Sequence, residues 1–232
     1  HRDLHSFPTR HSSDLVVINH ALFSNNVTGI KINNSNYVTV TRCYFDMQST
    51  PISASDCYGI YLNNSCSGYT IEENHFYRSS LSHNKYTGVK VQNSGTSANT
   101  IYHNIFDKMS NGIYVSGTNS GLQMLCNDFN TGDKDIYIAA DGHTSVSPSQ
   151  GSLQISAGNT FDGTSFFNIN NTSIQNISYY YTGKATSINP YYPSQVTSNV
   201  SRIVSNTANP APPRYATTTI TIVVFPPCTG TP

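Results

Sequence analysis

Short stretches of strictly alternating residues recur along this chain. They read Gly29-Ile30-Lys31-Ile32, Gly59-Ile60-Tyr61-Leu62, Gly88-Val89-Lys90-Val91, Gly112-Ile113-Tyr114-Val115 and Asp135-Ile136-Tyr137-Ile138, with a degenerate sixth at Phe167-Asn168-Ile169. Alternation of period two sends Ile and Val to one side of a strand and Lys and Tyr to the other. A second phrase precedes three of these stretches: Ile71 to Phe76, Ile101 to Phe106 and Met124 to Phe129, each with Asn two residues before the Phe. No segment sustains a period of 3.6, so helices should be few.

From Val16 the chain divides into about six coils. Each is anchored by a Phe (Phe23, Phe45, Phe76, Phe106, Phe129, Phe161), at spacings of 22, 31, 30, 23 and 32 residues. The strands of one coil are too short to pair as hairpins, and one coil cannot bury its own apolar side. Stacking coil on coil buries it, with successive strands about 4.8 Å apart and a column on the order of 30 Å long. The Gly before each strand predicts a bend with positive φ or a close backbone approach. Asn74, Asn104, Asn127 and Asn159 predict left-handed corner residues, and if they point inward they stack as a hydrogen-bonded ladder. Cys43 and Ala21 hold that place in the first two coils, so the ladder should begin at the third. Truncating an inward Phe should cost about 3–5 kcal/mol.

These phrases resemble the right-handed parallel β-helix repeat of pectate-lyase-like proteins, over roughly residues 16–173. The resemblance implies an all-β solenoid of about six coils with an extended C-terminal tail. It leaves activity open, because that family holds polysaccharide lyases, glycoside hydrolases, epimerases, tailspikes, adhesins and an accessory protein of copper-enzyme assembly.

Composition narrows the partners. Lys+Arg and Asp+Glu are both 12, and charged residues make up 10% of the 232, so nothing favours nucleic acid or an anionic membrane. No apolar run approaches the ~20 residues of a membrane-spanning helix. A neutral, polar surface suits a secreted or cell-surface protein that meets neutral polymers. The five cysteines (Cys43, Cys57, Cys66, Cys126, Cys228) include no CxxC pair, which argues against zinc and redox motifs. The odd count leaves at least one unpaired or paired outside this chain. Cys43 and Cys126 read as small buried residues within repeat strands.

Residues 1–15 resemble the conceptual translation of a sequencing adapter, with His11 where Arg is expected. That resemblance implies an artefactual segment and missing N-terminal coils. The β-helix is expected over 16–181, with Ser173–Tyr181 as its last strand, departing from the repeat. Residues 182–232 read as a Pro/Thr/Ser-rich wrap that becomes a linker. Such a tail resembles multidomain secreted proteins of Bacteroidota, which implies further domains beyond it. The competing reading of 214–232 is frame-shifted sequence.

The strongest chemical candidate is the outward column Lys31, Tyr61, Lys90, Tyr114, Tyr137, continued by Asn168. Tyr faces stack on sugar rings and Lys donates to hydroxyls, so the column is a candidate polysaccharide or cell-surface glycan site. Against this stands the plain strand propensity of Tyr and the solvation of Lys. A second candidate is the loop lobe 46–57 and 77–87, with Asp46, Asp56, Cys57, Arg78, His83, Lys85 and Tyr86. A lyase needs an Arg or Lys base, often with calcium held by clustered carboxylates, and a hydrolase needs two facing carboxylates. No such cluster is visible, so no catalytic residue, metal ligand or cofactor is assigned. Asp46, Asp107 and Asp162 fall in alternate coils and read as loop-start residues accepting backbone hydrogen bonds. The preferred function is a polysaccharide-binding scaffold. The alternative is a carbohydrate-active enzyme with its site on the two loops or in the missing coils.

Overall fold

A computed structural model of the chain describes residues 15–47, 56–80 and 86–206. It is a right-handed parallel β-helix, all-β throughout these residues. Every named strand pair is parallel, and each strand pairs with its counterparts one coil before and after. The adapter-like segment except Leu15, residues 48–55 and 81–85 of the two lobe loops, and the linker from 207 onward lie outside the described residues.

Three faces run along the column. The first holds Val16–Asn19, Val38–Thr41, Thr70–Glu72, Asn99–Tyr102 and Leu122–Leu125. The second, the Phe face, holds Leu22–Ser24, Tyr44–Asp46, His75–Tyr77, Ile105–Asp107, Asp128–Asn130 and Thr160–Phe161. The third holds Thr28–Asn33, Cys57–Asn63, Tyr86–Gln92, Asn111–Ser116, Lys134–Ile138 and Phe167–Asn171. The inward Ile, Val and Leu of all three faces form one buried core with the Phe rings.

The Phe rings stack as the repeat requires. From Phe23 to Phe129, neighbouring centroids lie 4.8, 4.7, 5.0 and 5.1 Å apart, with planes within 13° of parallel. The last step, to Phe161, opens to 5.7 Å. The column then closes on Tyr179, tilted 56° at 6.1 Å.

Beside the rings runs an asparagine ladder that begins at the third coil. Asn74 Oδ1 accepts from the Cys43 backbone N–H at 3.0 Å. Asn74 Nδ2 donates to Val40 O and to Asn104 Oδ1, and the pattern repeats from Asn104 to Asn127 and from Asn127 to Asn159. Each amide thus satisfies backbone of the coil before and side chain of the coil after, which suits a buried polar network.

Several local expectations need correction. The left-handed corner residues are those one place earlier, before Ala21, Cys43 and the asparagines: His20, Arg42, Glu73, His103 and Cys126, at φ between 52° and 56°. The asparagines are selected for their inward amides instead. The repeat glycines have ordinary φ and serve close approach: a Cβ on Gly59 would sit 2.5 Å from Phe76 Cδ1 of the next coil. Cys43 and Cys126 lie at corners between strands, not within them. Among the described residues Cys43, Cys66 and Cys126 are free thiols.

Residues Ile177–Tyr181 are not the last strand. They pair in parallel with Ser149–Gln150 on one side and Val200–Val204 on the other. The chain between, 182–199, stacks along the end of the third face: backbone N–H groups of Asn168 and Ile169 donate to Gln195 O, and Ile169 bridges in parallel to Val196. The repeat also changes in the fifth coil. Asp135 stands where the earlier coils have Gly, and its buried carboxylate accepts from Ser165 Oγ at 2.6 Å and Asn168 Nδ2 at 2.9 Å.

Candidate functional site

The five sequence-predicted residues stand in one register-aligned column on the outer side of the third face. Lys31 pairs with Tyr61, Tyr61 with Lys90, Lys90 with Tyr114, and Tyr114 with Tyr137. The next member is Asn170, not Asn168. Asn168 is fully buried and holds Asp135 from inside, because the register continues unbroken and puts Asn168 at the inward position that Gly112 and Asp135 hold in the coils before.

A second outward column runs beside the first: Thr28, Tyr58, Thr87, Asn111, Lys134, Phe167. It brings Tyr58 within 5.2 Å of Tyr61, centroid to centroid. Between the columns lies a cavity of about 220 Å³, lined by Asp56, Tyr58, Thr87, Lys90, Asn111, Tyr114, Lys134 and Tyr137.

Lys90 is the centre of the arrangement. Its ammonium lies 4.8 Å from the ring centroids of both Tyr58 and Tyr61 and 5.4 Å from that of Tyr114. It donates to the Tyr58 hydroxyl at 3.2 Å, and that hydroxyl donates to Asp56 Oδ2 at 3.2 Å. Burial lowers the Lys90 pKa, opposed by the Asp56 charge. Burial raises the Tyr58 hydroxyl, reinforced by Asp56. Around this centre Tyr61 donates to Gln92 Oε1, and Tyr114 meets Tyr137 edge-on at 5.2 Å. Lys31 sits 5.5 Å over the Tyr61 ring, and Lys134 5.0 Å over that of Tyr137. The rings and ammonium groups therefore hold one another in place before any ligand arrives.

The loop lobe contributes unevenly. Asp56 joins the cavity. Arg78 lies buried with its guanidinium 3.5 Å from the Tyr86 ring centroid, and points to packing rather than to a ligand. His83 and Lys85 lie outside the described residues. Asp107 is held by His75 Nε2 and Asn130 Nδ2, and Asp162 by the backbone N–H groups of Thr131 and Thr164. Burial alone would raise Asp107, but its hydrogen bonds to His75 and Asn130 leave it below the usual carboxylate range. Among the described residues no three His, Cys, Asp or Glu side chains gather as a metal site would need.

Parallel coils, a stacked Phe core and an inward asparagine ladder define a β-helix carrying an aromatic and cationic strip on one face. The family model for the right handed beta helix region matches residues 9–129, just over half of the 232-residue chain, and the chain belongs to that family. No curated protein and no solved structure matches the chain.

Proposed function

We infer that the third face is a polysaccharide-binding surface on a secreted or cell-surface scaffold. The observation that carries this reading is the register of the two outward columns: rings and ammonium groups from five consecutive coils, pre-positioned about a cavity. Tyr faces stack on sugar rings, and Lys, Thr and Asn side chains meet hydroxyls. Coil spacing of about 4.8 Å presents these groups at intervals close to the length of a sugar ring, so one polymer can run along the column axis. Because the rings already pack on one another, little side-chain freedom is lost on binding.

The test is retention of the protein in gels containing polysaccharides. The wild type should be slowed by at least one glycan. A Tyr61/Tyr114/Tyr137 triple Ala variant with an unchanged β spectrum should migrate as if the glycan were absent. Full retention by the folded variant would defeat the reading.

One observation favours a second reading, a carbohydrate-active enzyme. Asp56, Tyr58 and Lys90 form a continuous hydrogen-bonded chain ending in an amine of lowered pKa, an arrangement suited to moving a proton. Incubation with a polysaccharide panel, read for new unsaturated or reducing ends, separates the two. New ends that vanish in Tyr58→Phe and Lys90→Met favour the enzyme; retention without new ends favours the binder.

A further inference from the structure

Two lysines reach the same cavity from different columns, Lys90 from the third coil and Lys134 from the fifth. Among the described residues neither makes an ion pair, although the Asp56 charge is felt at Lys90. The ion pairs among the described residues are Arg42 with Glu73 and His75 with Asp107. The cavity's one carboxylate, Asp56, is engaged by the Tyr58 hydroxyl. The lining thus sets two ammonium groups against one carboxylate, in a chain whose overall charge is zero. Aromatic faces orient the two ammonium groups but do not neutralise them. A half-buried cation has lost hydration that only an anion restores in full.

We propose that this cavity takes the anionic group, carboxylate or sulfate, of an acidic polysaccharide, seated between Lys90 and Lys134. The proposal rests on the polysaccharide reading of the same face and narrows it. It also runs against the neutral polymer that the chain's overall composition suggests, because the local charge, not the average, meets the ligand. The cavity, at about 220 Å³, holds about seven waters at ~30 Å³ each, room for one sugar residue and not for a folded chain. Sugars before and after it would lie on the flanking rings, towards Tyr61 on one side and Tyr137 on the other.

The test uses matched pairs of polymers in affinity gels: hyaluronan with its carboxyl-reduced derivative, and dextran sulfate with dextran. The first pair isolates carboxylate and the second sulfate. The acidic member of one pair should be retained about tenfold more strongly than its neutral twin, an advantage that shrinks as salt rises. Lys90→Met should remove most of that advantage while leaving the melting temperature near the wild-type value. Lys134→Met, on the neighbouring column, makes the same test if the first variant is destabilised. Equal retention of acidic and neutral members would overturn the anionic subsite and leave the polysaccharide reading standing. Stronger retention of a neutral member would do the same. Retention of no member of either pair would overturn both.

Discussion

Gly88 lies flush against the ring of Phe106 in the next coil: a Cβ on Gly88 would stand 2.5 Å from Phe106 Cδ1 and 2.8 Å from Gly112 O. The glycine is therefore the socket into which the following coil's Phe fits. Gly88→Ala should cost about 1–3 kcal/mol, although the same change on an open strand would stabilise. Urea unfolding of the two proteins measures it. An unchanged midpoint would mean that the ring stack yields without penalty.

Asn104 occupies the middle of the amide ladder. Its Oδ1 accepts from Asn74 N and Asn74 Nδ2, both at 3.0 Å, and its Nδ2 donates to Ile71 O and Asn127 Oδ1. Asn104→Ala leaves several of these groups buried without partners, so a loss of about 3 kcal/mol or more is expected. Hydrogen exchange should quicken first at the Asn74 amide. A loss below ~1 kcal/mol would contradict a dry ladder.

Much of this interior was legible in the sequence because it repeats. Phe23 to Phe161 align once the coils are cut, and the period-two alternation places Lys31, Tyr61, Lys90, Tyr114 and Tyr137 on one outward line. What escaped was the column one step earlier. In Tyr58-Gly59-Ile60-Tyr61 both tyrosines face outward although two residues separate them, so strict alternation begun at the glycine omits Tyr58, Thr87, Asn111 and Lys134. The residue before each repeat glycine was the available signal. The corner conformation escaped for another reason. At this corner the residues at positive φ are His20, Arg42, Glu73, His103 and Cys126, four types with no shared chemistry. Each backbone N–H donates to a carbonyl of the next coil, which fixes the corner, and their own side chains leave no trace of it. Asn168 escaped because no glycine marks the start of the sixth strand: Phe167 pairs with Lys134, which puts Asn168 at the inward glycine position and Asn170 on the outward line.

That carboxylate gives a pH prediction. Burial pushes Asp135 up to about 7, against hydrogen bonds from Asn168 and Ser165 that pull it down. A folded-state pKa above the unfolded value means that the native state binds the proton more tightly. The stabilisation is complete below about pH 4 and is lost as pH rises towards 7. A shift of that size corresponds to ~4 kcal/mol, an upper bound once local relaxation is allowed. Asp135→Asn keeps the shape of the protonated acid. Its stability relative to wild type should climb between pH 4 and pH 7 and then level off. Thermal melts across that range read the difference directly. A gap that stays constant, or a wild type more stable at pH 8, would contradict a buried carboxylate in need of a proton.

The most direct measurement of the binding face is amine labelling, read lysine by lysine by mass spectrometry, with and without the polysaccharide that the gels show to be retained. Lys31, Lys90 and Lys134 lie on or beside the proposed path, whereas Lys184 is exposed on the wrap beyond it. Bound polymer should slow labelling of Lys31 and Lys134 several-fold, roughly as the inverse of the fraction left free, and leave Lys184 unchanged. Uniform labelling of all of them in the complex, or protection confined to Lys184, would contradict a polymer lying along the Tyr/Lys columns.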